Sequence, residues 1–109
     1  MNINNKNQML WSKDELIKAS KGKDLTTKFL KDKKVTGISI DTRSIKKNDL
    51  FIAIKGKNYD GQNFVEQAVK KGASGIITSC NETARKYNGL YVKNTHTALT
   101  NLAEFSRNR

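Results

Sequence analysis

Apolar residues alternate with small or polar ones over Val35-Thr36-Gly37-Ile38-Ser39-Ile40, a period of two that predicts a half-buried strand. Leu50-Phe51-Ile52-Ala53-Ile54 is unbroken instead, and an apolar run of that length suits a strand in the middle of a sheet covered on both faces. Between Asn63 and Lys71 the period lengthens, placing Phe64, Val65, Ala68 and Val69 on one face of a helix. Gly72 supplies its cap, with Lys70 and Lys71 complementing the helix dipole. Gly75 to Ser79 then predicts a third short strand. Strand, helix and strand in this order form a βαβ unit with a parallel, right-handed crossover.

The flanks are read from polar signals. Ser12-Lys13-Asp14-Glu15 has the Ser-x-x-Glu spacing of a capping box and predicts a helix over about 13–20, with Leu16, Ile17, Ala19 and Ser20 facing inward and Gly22 as its stop. Residues 23–34 are lysine-rich, with only Leu25, Phe29 and Leu30 as anchors, and predict a loop. Beyond the third strand, residues 82–86 predict a helical turn and Leu90-Tyr91-Val92 a fourth strand. Asn94 or Thr95 caps a last helix carrying Ala98, Leu99, Leu102, Ala103 and Phe105. The expected fold is therefore α/β, a small sheet with a βαβ unit and flanking helices over residues 9–109, preceded by a polar, disordered segment 1–8.

Composition narrows the function. A chain of 109 residues supports one small domain with one modest core, too small for that core plus a deep two-domain cleft. The net charge is +11, from 21 Lys+Arg against 10 Asp+Glu. Seventeen of the cations are Lys, and the excess is spread over both halves in short pairs such as Lys33-Lys34, Lys46-Lys47 and Lys70-Lys71. Nucleic-acid surfaces concentrate cations with stacking aromatics, so solvated surface is the plainer account. Cys80 is a lone thiol, and with a single histidine, His96, it cannot build a tetrahedral zinc site. No membrane-length apolar run and no signal-peptide pattern occur, so a soluble, cytoplasmic protein in a reducing compartment is expected.

Candidate chemistry gathers at strand ends. No G-x-x-x-x-G-K-[ST] or G-x-G-x-x-G is present, and no nucleophile sits with His96, so no catalytic residue is assigned. Asp41-Thr42-Arg43 follows the first strand and Lys57 to Gly61 the second, and in open α/β sheets ligands bind outside the carboxyl ends of the strands. If the two strands are neighbours, Thr42, Arg43, Lys57, Asn58 and Tyr59 present a hydroxyl, a guanidinium, an ammonium, an amide and an aromatic ring, a set suited to a nucleotide diphosphate. The structural alternative makes Asp41 to Arg43 a turn in which Asp bonds nearby amides and Arg pairs with an acid.

Ile38-Ser39-Ile40-Asp41-Thr42-Arg43, Lys47-Asn48-Asp49-Leu50-Phe51-Ile52-Ala53-Ile54-Lys55-Gly56, Tyr59-Asp60-Gly61-Gln62-Asn63-Phe64 and Ala68 to Ala73 together resemble the N-terminal domain of the Mur ligases. These enzymes add amino acids or dipeptides to the UDP-linked peptidoglycan precursor. The chain departs from the family pattern with Lys47-Asn48 where Pro-Gly is usual, and with Gln62-Asn63 where His and an acid are common. Met9-Leu10-Trp11-Ser12 and Leu90 to Thr95 look most like the member that adds D-alanyl-D-alanine to UDP-N-acetylmuramoyl-tripeptide, and the member adding the third residue is the nearest competitor.

The resemblance implies that Ile40, Thr42, Lys57, Asn58 and Tyr59 touch the UDP moiety, with Arg43 beside them. It also implies a central ATPase domain using ATP and Mg²⁺, and a third domain for the incoming group, both beyond Arg109. The fragment is then a monomeric binding domain for UDP-N-acetylmuramoyl-peptide, inactive alone, with no cofactor or metal of its own and no nucleic-acid or membrane partner. A basic α/β module binding RNA or another polyanion is the alternative from a different class.

Overall fold

The computed structural model describes residues 10–31 and 33–108, so the expected disordered segment 1–8 lies outside the described residues. Helix α1 (Lys13–Ser20) starts where its capping box places it: the Ser12 hydroxyl accepts from the Glu15 amide at 3.0 Å, and the Glu15 carboxylate from the Ser12 amide at 2.9 Å. It ends at Ser20 as expected, but Lys21, not Gly22, adopts the left-handed conformation after it, at φ 59°. Gly22 serves packing instead. A Cβ there would stand 2.9 Å from Ser20 Oγ and 3.1 Å from Leu90 Cβ.

Strands β1 (Lys23–Asp24), β2 (Gly37–Ser39), β3 (Asp49–Ile52), β4 (Gly75–Thr78) and β5 (Leu90–Tyr91) form one sheet in the order β1-β5-β4-β3-β2. The four strands from β2 to β5 run parallel, and β1 joins β5 antiparallel. The expected loop 23–34 therefore hides an edge strand, and the sheet has five strands where the hydrophobic pattern predicted four. Two polar residues held by main-chain bonds leave no periodicity to read. The central position of β3 is as its apolar run predicts, and β2 is more buried than its alternation implies, since Gly37, Ile38 and Ser39 are all covered.

Helices cover both faces. On one, α1 and α4 (Thr95–Arg107) pack Trp11, Leu16, Ala98 and Leu102 against Ile38, Leu50, Ile52, Ile54, Ile77 and Leu90. On the other, α2 (Val65–Lys70) sets Val65 and Ala68 on Phe51, Ala53 and Ile76. Each fully buried aliphatic side chain contributes roughly 1.5–3 kcal/mol. Val69 departs from the predicted inward face: α2 is short and preceded by a 3-10 turn (Gly61–Phe64), and this rotation leaves Val69 40% exposed. A third short helix, α3 (Asn81–Lys86), joins β4 to β5, and Asn94 rather than Thr95 caps α4 by accepting from the Thr97 amide at 3.0 Å. Among the described residues no helix is long and apolar enough to cross a membrane.

Candidate functional site

Because β2 and β3 are parallel neighbours, the turn after one and the loop after the other meet at the same end of the sheet. A cleft of about 460 Å³ opens there, lined by Ile40, Asp41, Thr42, Arg43, Ile54, Tyr59 and Phe64. Four of the six residues predicted for the site, Ile40, Thr42, Arg43 and Tyr59, line it. Lys57 and Asn58 are exposed and lie outside its lining. Ile54 and Phe64 belong to it although their apolar character marked them only as core.

The turn is braced from α2. Thr42 is buried, its hydroxyl donates to Gln67 Oε1 at 3.3 Å, and Lys71 Nζ donates to the Thr42 carbonyl at 2.8 Å. Gln67 and Lys71 are one helical turn apart, so both reach the same peptide. Lys71 thus bonds the turn, and Lys70 pairs with Glu66 at 3.3 Å; neither is given over to the dipole alone. These partners lie 25 and 29 residues from Thr42, beyond the reach of any local pattern.

Arg43 takes the structural alternative foreseen for it. Its Nη2 donates to Asp41 Oδ2 at 2.7 Å and its amide to Asp41 Oδ1 at 2.8 Å. The hydrogen bond from the Arg43 side chain, with that from its backbone, holds the Asp41 carboxyl down at about 2, and Asp41 raises Arg43 in turn. The cleft's one lining cation is thereby neutralised by its neighbour.

Tyr59 is set by a tight loop. Lys55 and Asp60 bridge antiparallel, and the Gly56 amide donates to the Tyr59 carbonyl at 2.6 Å. The Tyr59 ring stacks on Phe64 at 5.4 Å between centroids and 10° between planes, and its hydroxyl donates to the Ile40 carbonyl at 3.4 Å. Burial raises the Tyr59 hydroxyl above its ordinary range, so it stays protonated and able to donate at neutral pH. The result is a cleft whose lining includes the stacked Tyr59 and Phe64 rings and the apolar Ile40 and Ile54, a geometry suited to a flat group.

His96 and Cys80 stay outside this cleft. His96 Nε2 lies 3.0 Å from the Lys55 carbonyl, and Cys80 starts α3. Among the described residues no group of three His, Cys, Asp or Glu could hold a metal ion.

A mostly parallel sheet with a cleft beyond the carboxyl ends of its strands is an α/β domain whose candidate site lies where open α/β sheets bind ligands. The family model for the Mur ligase family, catalytic domain, matches residues 34–107, and the chain belongs to the Mur ligase family. Its fold is that of the Mur ligase N-terminal domain. The UDP-N-acetylmuramoyl-L-alanyl-D-glutamate--2,6-diaminopimelate ligase of Fusobacterium nucleatum is 44% identical over 61 residues, 56% of this chain and 12% of that protein. The solved UDP-N-acetylmuramoylalanyl-D-glutamyl-2,6-diaminopimelate--D-alanyl-D-alanyl ligase of Acinetobacter baumannii matches 87% of this chain and 21% of its own, at TM-score 0.69 and 29% identity. The MurF ligase of Thermotoga maritima, solved with ADP, matches 60% of this chain and 15% of its own at TM-score 0.53 and 28% identity. The chain thus spans only about one eighth of the length of the first of these relatives.

Proposed function

We propose that this chain is the UDP-precursor-binding domain of an ATP-dependent peptidoglycan ligase that adds D-alanyl-D-alanine to UDP-N-acetylmuramoyl-tripeptide in the cytoplasm. The observation that carries the reading is the convergence of Ile40, Thr42 and Tyr59 on one cleft at the carboxyl ends of β2 and β3. The stacked Tyr59 ring and the buried Thr42 fit a pyrimidine nucleoside, with Ile40 and Ile54 as its apolar floor.

Sequence relatives and structural neighbours point to two sister ligases. The likeness to the D-alanyl-D-alanine-adding enzyme covers 87% of the chain and so must reach into the first 33 residues, which hold α1 and β1. The diaminopimelate-adding relative matches 56% of it. The structural likeness supports the former, and the sequence match supports the latter.

ATP and Mg²⁺ belong to the whole ligase in this reading. The residues present do not fit them: the sequence has no phosphate-binding loop, and the described residues offer no metal cluster. The domain acts as a monomer that holds the precursor while a central domain of the same ligase activates its carboxyl group.

Titrating the chain with UDP-N-acetylmuramoyl-tripeptide, with UDP-N-acetylmuramoyl-L-alanyl-D-glutamate and with a generic oligonucleotide tests this. Saturable binding of the tripeptide compound, lost in a Thr42→Ala, Tyr59→Ala double variant that stays folded, is the expected result. Preference for the dipeptide compound would move the assignment to the sister ligase. Saturable oligonucleotide binding with no response to either UDP compound would replace it with a polyanion module.

A further inference from the structure

Strands β2 to β5 run parallel, so every connection that enters one of them arrives at the same edge of the sheet, opposite the cleft of Tyr59. Each arrives with two cations in a row: Lys33-Lys34 ahead of β2, Lys46-Lys47 ahead of β3, Lys70-Lys71 ahead of β4 and Arg85-Lys86 ahead of β5. Charge that is scattered along the sequence is gathered by the topology.

Two adjoining hollows mark this edge. One of about 500 Å³ and one of about 180 Å³ share Lys33 and Ser74 in their linings. Together they are lined by Lys28, Lys31, Lys33, Lys34 and Lys47, and no described acid lines either.

The other cations of the edge already have contacts. Lys70 pairs with Glu66, Lys71 Nζ donates to the Thr42 carbonyl, Arg85 Nε donates to Asn81 Oδ1, and Lys86 lies over the Tyr87 ring. The five lysines of the hollows are exposed, and their side chains form no ion pair or hydrogen bond with a described residue. Asp49, the acid at the start of β3, is only 2% exposed, and its Oδ2 accepts from the Lys46 amide at 2.9 Å. Like charges gathered in this way repel one another, and a bound polyanion relieves the repulsion.

We propose that this edge is a docking groove for an extended, Asp- and Glu-rich segment of a partner protein, which it takes up away from the Tyr59 cleft. All five cations are lysine, without the guanidinium fork that grips phosphates in pairs. Tyr87, the aromatic residue of the linings, packs on the cluster of Phe51 and Ile76 and is not free to stack on bases. A flat lipid surface does not fill hollows, and a second copy of the chain brings its own charge of +11. An extended peptide fits the dimensions. Three inter-strand steps from β2 to β5 span roughly 14 Å, the length of about four extended residues. Carboxylates on one side of such a segment fall about 7 Å apart, within reach of flexible lysine stems. The groove is also set in advance, because Leu30, Asn48, Gly72 and Asn88 in its linings hold left-handed turns at φ 53°, 72°, 103° and 54°.

The test titrates the whole chain with a labelled deca-glutamate peptide, and with a labelled deca-thymidine strand under the same conditions, by fluorescence anisotropy and amide NMR. The peptide should bind saturably at low salt and weaken about tenfold or more between about 0.05 and 0.5 M salt. It should shift the Lys33, Lys47 and Ser74 amides and leave Tyr59 in place. Lys33→Glu with Lys47→Glu should weaken it about tenfold or more, whereas Lys18→Glu with Lys93→Glu, exposed changes of equal charge elsewhere, should leave it within about twofold. Equal losses in the two double variants would overturn the groove, since net charge alone would then account for binding. Shifts spread over the whole surface of the native chain would overturn it whatever the variants do to folding. Tighter binding of the thymidine strand than of the peptide, at the same amides, would overturn the acidic polypeptide as the occupant.

Discussion

Asp41 grips Arg43 through side chain and backbone at once: Nη2 donates to Oδ2 at 2.7 Å, and the Arg43 amide donates to Oδ1 at 2.8 Å. The pair closes the turn after β2 on itself. It fixes the direction of the chain at the mouth of the cleft while leaving the guanidinium open to solvent.

This pair has a pH signature. The Asp41 carboxyl is held at about 2, chiefly by the Arg43 side chain, against an ordinary 3.8. A carboxyl depressed in the folded state contributes stability that is complete above its unfolded value and lost as pH falls through the folded one. The contribution of Asp41 should therefore be present at pH 5 and fade between about pH 4 and pH 2. Thermal melts of the native chain and Asp41→Asn should differ at pH 5 and converge by pH 2. Carbon NMR should find the Asp41 carboxyl back in the ordinary range in Arg43→Ala. A constant gap between the two melts across this window would show that the pair is not formed.

Asn48 explains how the chain tolerates a departure from its family's usual Pro-Gly. Its φ is 72°, a left-handed conformation that glycine adopts freely and asparagine more readily than other residues. Its amide donates to the Gly72 carbonyl at 3.0 Å, and its side-chain oxygen accepts from Ser74 Oγ at 3.3 Å. Asn48→Ala should cost about 1–2 kcal/mol in denaturant unfolding, as Cβ strain reappears without the side-chain bond. Asn48→Gly should cost less. The reverse order would remove backbone strain as the reason.

What the sequence discloses follows from the range of the interactions involved. The bounds of α1 are readable because Ser12 and Glu15 are three residues apart, and the centre of the sheet because Leu50 to Ile54 has no polar face. β1 is hidden because Lys23 and Asp24 pair through main-chain groups with Leu90 and Tyr91, far along the chain. The site divides in the same way. Ile40, Thr42, Arg43 and Tyr59 follow from strand ends, but the neutralisation of Arg43 is settled by a rotamer, and the grip of Gln67 and Lys71 on Thr42 by tertiary packing. Lys57 and Asn58 share the loop with Tyr59 and yet are exposed and lie outside the cleft lining, which spacing alone does not reveal.

The capping box of α1 supports the sheet from a distance. Leu16 is fully buried, and Trp11, just before the cap, rests against Phe105 of α4 at 5.8 Å between centroids. Ser12→Ala leaves the Glu15 amide without its acceptor and should cost about 1 kcal/mol. For a domain of this size that lowers Tm by roughly 4–8 °C. Ser12→Asp, which keeps an acceptor at the cap, should restore most of the loss. An unchanged melt in Ser12→Ala would mean that α1 is held by packing alone.

Two glycines flank Tyr59 and separate packing from flexibility. At Gly61 an added Cβ would lie 2.8 Å from Ala53 Cα, Ala53 C and Ile54 N, all backbone of the segment that continues β3, so nothing nearby can yield by rotating a side chain. The Gly61 amide also donates to the Ile54 carbonyl at 2.7 Å, tying the start of the 3-10 turn to that segment. Gly61→Ala must push the loop outward, at a cost of about 1–3 kcal/mol, and must carry Tyr59 off its stack on Phe64. At Gly56 an added Cβ meets only the Tyr59 carbonyl, at an ordinary 3.7 Å. Gly56→Ala should therefore be neutral, or more stable by up to about 1 kcal/mol through the unfolded chain. Denaturant midpoints of the two variants, with Tyr59 ring resonances as the local probe, decide the matter. If both alanines lower stability alike and shift Tyr59 alike, the loop is sensitive to stiffness and not to the close approach of Gly61 to Ala53.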